Sequence, residues 1–188
     1  IYQVVIEKFP DKLYRVSKWG VFVPASQYCQ RRILNFPASD LAFYRTLYDA
    51  RDREAFETAR NQYSLLGLSD VVNSMLATSF GGRAVLELGN AALDTGHFLA
   101  ALEYFQTVRD FFPDENLHTP ELELKIHYCR KMLGERVSRA RAESGKSKLT
   151  DKQLQRLEEV VNRSRYTKPP FHVQRVSPPD VSANDYAL

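Results

Sequence analysis

Between residues 83 and 113 the apolar positions fall into two stripes at helical spacing. Val85, Leu88 and Ala92 make the first, and Phe98, Ala101, Leu102 and Phe105 make the second. The tetrad Asp94-Thr95-Gly96-His97 separates them, and Gly96 is free to take the left-handed conformation that ends a helix. Phe112-Pro113 closes the second stripe, because proline cannot continue a helix. Gly89 stands mid-helix, where glycine costs about 1 kcal/mol against alanine. That cost, together with the small Ala92 and Ala101, predicts two antiparallel helices crossing closely enough for a side chain to meet backbone.

The flanking pattern is less regular. Residues 1–10 end in Phe9-Pro10 and align with the second helix above when Pro10 is set on Pro113. They are read as the end of a truncated repeat, with an apolar face left uncovered. At 13–23 the period shortens and β-branched and aromatic residues dominate. This predicts either a small β-hairpin turning at Trp19-Gly20 or an extended linker. Pro24 starts a helix carrying Tyr28, Cys29, Ile33 and Leu34. Ser39 or Asp40 is expected to cap the next one, with Leu41, Tyr44, Leu47 and Tyr48 as its stripe. The run DARDR at 49–53 reads as a charged, solvated junction before a further helix with Ala55, Phe56, Ala59 and Tyr63 inward. Gly67 reads as a break, and Ser69-Asp70 as the cap of a short helix.

After Pro113, Thr119-Pro120-Glu121 is a strong helix start: a cap, a proline in the first turn and an acid against the dipole. Leu122 and Ile126 lie 34 residues after Leu88 and Ala92, which suggests a following repeat. Its first helix should end at Gly134, with a weaker partner at 135–143. Thr150 caps a last helix with Leu154, Leu157, Val160 and Val161 as its stripe, a candidate polar-faced cap. Residues 164–188 hold two Pro-Pro pairs and no helical period, and read as an extended Pro-rich tail or linker.

The Leu88-Gly89, Ala92, Gly96, Ala101, Phe105 and Pro113 spacing resembles a tetratricopeptide repeat, with a period of ~34 residues. Val85 stands where that family prefers tryptophan and Ala92 where it prefers tyrosine, so the repeat is a degenerate one. The feature order also resembles the N-terminal part of planctomycete-type envelope proteins that carry a pyrroloquinoline-quinone-like β-propeller. The residues behind this are VSKWGVFVP at 16–24, LAFYRTLYD at 41–49, and T-S-x-G followed by L-x-L-G at 78–89. The resemblance implies a periplasmic or cell-envelope setting and a downstream propeller as a neighbour; no propeller chemistry is carried onto this chain.

Composition narrows the class further. Of 188 residues, 44% are hydrophobic and 26% charged, which fits a folded chain rather than a disordered one. A net charge of +3 is too small to imply nucleic acid or membrane. Cys29 and Cys129 are open to pairing, but are preferred as small buried hydrophobes. The sequence holds no nucleophile elbow, phosphate-binding loop, dinucleotide fingerprint, zinc-protease helix or paired-cysteine motif. His127 and Cys129 are two apart and point to different helix faces. The basic run Arg130, Lys131, Arg136, Arg139, Arg141, Lys146 and Lys148 lacks interleaved aromatics and reads as a solvated face.

The expected fold is therefore all-α, a helical-hairpin solenoid with a possible β-hairpin near 13–23. Its expected parts are 1–10 (truncated repeat), 11–79 (irregular helical region), 80–143 (tetratricopeptide-like repeats), 149–163 (capping helix) and 164–188 (tail). The expected role is a non-catalytic scaffold for protein–protein interaction, with no enzyme activity, cofactor, metal, nucleic acid or membrane span. In a hairpin solenoid the first helices line the concave side. That puts a partner-binding groove, for a protein or peptide, at Arg83, Leu86, Asn90, Leu93 and Asp94, with His127 and Tyr128 as their counterparts in the next helix. The alternative role is a structural subunit that docks through its broken N-terminal repeat and C-terminal tail.

Overall fold

The computed structural model describes residues 1–18, 20–134 and 150–165, with side chains at 157 and 161–165 outside that description. Eight α-helices, one 3-10 turn (Glu115–Leu117) and one two-stranded sheet make up the regular structure of the described residues. The helices are α1 (Tyr2–Lys8), α2 (Ala25–Leu34), α3 (Ala38–Asn61), α4 (Leu65–Met75), α5 (Gly81–Asp94), α6 (Phe98–Phe111), α7 (Pro120–Met132) and α8 (Asp151–Arg165). From α3 onward each helix packs on the next, and α1 packs on α2. The expected partner helix at 135–143 and the tail beyond 165 lie outside the described residues.

The hairpin at 13–23 forms. β1 (Leu13–Arg15) pairs antiparallel with β2 (Phe22–Pro24), Tyr14 lying opposite Val23. Gly20 takes a φ of 79° in the turn, a conformation that asks for glycine. Of α1, Ile6 is buried against the core while Val4 and Phe9 are exposed.

The central hairpin is α5 and α6. Gly96 has the left-handed φ of 76°, and the His97 backbone N–H closes back on the Ala92 carbonyl. A Cβ on Gly89 would stand 2.6 Å from Phe105 Cε1, so the missing side chain is what lets the Phe105 ring lie on the α5 backbone. Ala101 is fully buried beside it. α5 sits between two clusters: Val85 joins the main core with Phe105, Leu122 and Ile126, and Ala84 and Leu88 join a second one with Phe56 and Val71 of α3 and α4. Cys29 and Cys129 are both free and buried, and burial pushes the Cys129 thiol up to about 11.

Several expectations before residue 80 are corrected. The region 38–61 is one helix, begun directly after Pro37, with no side-chain cap from Ser39 or Asp40. The run 49–53 is no junction, and it is solvated only in part: Ala50, Arg51 and Arg53 are exposed. Asp52 is 1% exposed and accepts from Arg51 Nε at 2.8 Å; Asp49 accepts the Ser79 backbone N–H at 3.0 Å. These charges tie α3 to its neighbours, and nothing in the run breaks a helix. Leu47, expected in the stripe, is 59% exposed, and Tyr63 lies beyond the helix end with φ 51°.

α4 begins at Leu65, four residues before the expected cap. Ser64 caps it, its Oγ accepting from Gly67 N at 3.0 Å, so Gly67 lies in the first turn instead of ending a helix. A Cβ there would stand 2.8 Å from Ala59 Cβ. It is a second close crossing, between α3 and α4.

Candidate functional site

The Thr119 start behaves as expected: its Oγ1 accepts from Leu122 N at 3.2 Å and Pro120 opens α7. Thr150 and Gln153 form a reciprocal capping box at the start of α8, the Thr150 backbone N–H donating to Gln153 Oε1 at 2.9 Å. α8 then packs on α7, with Lys131 Nζ 3.2 Å from Glu158 Oε1. The candidate cap thus becomes a wall.

Between α5, α7 and α8 lies a mostly apolar groove of about 420 Å³. Leu93, Leu124 and Tyr128 supply apolar lining, with Glu121, Lys125 and Arg156 at its edge. Lys125 Nζ donates to Asn90 Oδ1 at 2.9 Å and pairs with Glu121 Oε1 at 2.6 Å. Lys125 accordingly holds the Glu121 carboxyl below the usual range. Lys125 and Glu121 are thus occupied with one another, a polar border to an apolar strip.

The seven sequence-predicted groove residues divide. Leu93 and Tyr128 line the groove, and Asn90 holds its edge through Lys125. Tyr128 also meets Phe98 edge-on, with ring centroids 5.9 Å apart. Leu86 is half-buried against the core, and Asp94 is exposed at the hairpin turn. Arg83 turns the other way, its guanidinium 4.9 Å from the Phe56 ring centroid on α3. His127 is 2% exposed and does not reach the groove surface. The 34-residue offset carries Leu93 to the buried His127, and Asp94 to Tyr128, which lines the groove together with Leu124. The same offset carries Asn90 to Leu124, so the residue missed was within reach of the signal used.

His127 belongs instead to a buried polar face of α7. Glu123, His127 and Arg130 are all buried, one or two turns apart. Burial raises the Glu123 carboxyl above its usual value, against the pull of Arg109 and Arg130. Burial lowers His127, reinforced by Arg130, Arg109 and Lys131. Its Nδ1 makes no hydrogen bond among the described residues. Arg130 was expected on a solvated basic face and is buried; the remainder of that run from 136 lies outside the described residues.

The remaining histidines of the described residues are structural. His97 Nδ1 meets Thr95 Oγ1 at 2.8 Å on the exposed turn, and His118 Nε2 meets the Phe112 carbonyl at 2.8 Å.

A second groove, of about 800 Å³, runs along α3. Ala42, Thr46 and Ala50 lie along the α3 side, and Phe36 and Pro113 line it as well. Arg45 and Asp114 also line it, Arg45 holding Asp114 through both terminal guanidinium nitrogens, at 2.6 and 2.8 Å. No signal in the sequence paired residues 69 apart.

No family model, curated protein or solved structure matches this chain. Among the described residues, no helix is long and apolar enough to cross a membrane.

Proposed function

We propose that the chain is a non-catalytic protein-interaction scaffold of degenerate tetratricopeptide-like hairpins, and that it receives its partner in the groove between α5, α7 and α8. The observation that carries this reading is the apolar strip of Leu93 and Leu124 beside the Lys125–Asn90 and Lys125–Glu121 contacts. An apolar strip with a few fixed polar groups suits an amphipathic helix or extended peptide, which gains area from the floor and orientation from the edge. Successive packing of α3 through α7, with glycine at two crossings, supports a solenoid of helix pairs. The cell-envelope setting rests on the resemblance to propeller-bearing envelope proteins.

The test is a quantitative pull-down with the wild-type chain and with Leu93→Arg/Leu124→Glu, both checked for unchanged helicity. Loss of specific partners in the variant is expected. Equal recovery by both chains excludes this groove.

The structural-subunit reading draws on a separate observation: Val4 and Phe9 stay exposed on and just beyond α1. In that reading these positions are covered by a neighbour.

A further inference from the structure

α3 carries a ridge beside its groove. Phe43 and Leu47, one turn apart, are 67% and 59% exposed. The groove side is lined by Ala42, Thr46 and Ala50, also one turn apart. At 3.6 residues per turn, the ridge lies roughly a quarter turn around the helix from the small stripe. A ridge and a groove side by side on one rod complement their own copy. A two-fold axis passing between them near Thr46 lays each ridge in the other chain's groove, with the two α3 helices antiparallel.

The order of residues suits that arrangement. Along the ridge, from N- to C-terminus, come Asp40, Phe43 and Leu47; along the groove, in reverse, come Arg53, Ala50 and Thr46. The antiparallel register sets Phe43 over Ala50 and Leu47 over Thr46, large over small. It also sets Asp40 against Arg53, twice, once at each end.

Of the α3 charges that line the groove, two are already engaged. Arg45 is held by Asp114, and Asp49 by the Ser79 backbone N–H. Arg53 is exposed, lies 5.8 Å from the Phe80 ring centroid, and has no carboxylate within ion-pair distance among the described residues. Asp40 is exposed and receives only the Ser39 hydroxyl, at 3.2 Å.

We infer that the outer face of α3 is a homodimer interface, in which Phe43 and Leu47 of each chain enter the α3 groove of the other and Asp40 pairs with Arg53 across the axis. An unrelated partner would have to bring an apolar pair and an acid in this order; a second copy brings them already. The surface is separate from the groove at Leu93, so the two are testable independently.

Size-exclusion chromatography with light scattering, at rising concentration of the 188-residue chain, tests it. The wild type is expected to approach twice the 21.6 kDa of one chain. Phe43→Asp, with unchanged circular dichroism, is expected to remain at the mass of one. Asp40→Arg and Arg53→Asp should each weaken association roughly tenfold or more through like-charge contact, and the double reversal should restore it. A wild type that stays a single chain at every concentration overturns the proposal. So does a dimer that survives Phe43→Asp, or a double reversal no tighter than either single one.

Discussion

At the scale of the residue, Gly89 and His127 make opposite demands on their surroundings. Gly89 leaves space that Phe105 fills completely. At an ordinary helix site, alanine would gain about 1 kcal/mol over glycine. Here the Phe105 ring is fully buried and has nowhere to move. Gly89→Ala should therefore destabilise by a net of about 1–2 kcal/mol, because overpacking a filled core outweighs propensity; urea unfolding measures it. His127 Nδ1 has no hydrogen-bond partner among the described residues, and a buried group left so costs about 1–3 kcal/mol. Because burial holds its pKa below the unfolded value, the unfolded chain takes up the proton first. The stability tied to neutral His127 is present above about pH 6.5 and is lost as pH falls through the lowered value. Glu123 works the other way: its raised pKa means stability is gained as pH falls toward the ordinary carboxyl range. His127→Leu should be as stable as wild type or more so at pH 7, and should lose less stability between pH 7 and pH 5. Melting both proteins across that range decides it, and a steeper loss in the variant would reverse the sign argued here.

At the scale of the element, legibility followed how local the deciding force was. The α5–α6 hairpin, the Thr119 start and the Gly134 stop depend on caps, glycine φ values and a stripe within one or two turns, and these were readable from residue types. α3 was not, because what decides the fate of 49–53 is distant: Asp49 binds Ser79, and Arg45, just before it, binds Asp114. Charge alternation looks the same whether it faces water or a partner element. Gly67 shows the same limit, since only the position of Ala59 reveals it as a crossing residue. Continuity of α3 has a direct consequence. Ala50→Pro, on an exposed position mid-helix, removes a backbone hydrogen bond and should cost about 3 kcal/mol or more. A true junction at 49–53 would tolerate it, so a shift in the urea midpoint separates the two descriptions.

At the scale of the whole molecule, the proposed binding groove is built by several helices together. The α5–α7 groove was half legible: Leu93 and Tyr128 came from the helical face, while Arg83 lies against the Phe56 ring and His127 lies on the buried face of α7. The wall supplied by α8 was legible in part: Val160 of the stripe at 154–161 lines the groove, while Gln153 and Arg156 line it from outside that stripe. The most direct measurement is site-specific photocrosslinking. A benzophenone side chain is placed at Leu93 in one chain and at Leu99, an exposed residue on α6, in another. Adducts to a protein partner from position 93 and none from position 99 are what the account predicts; adducts from 99 alone, or equally from both, would contradict it.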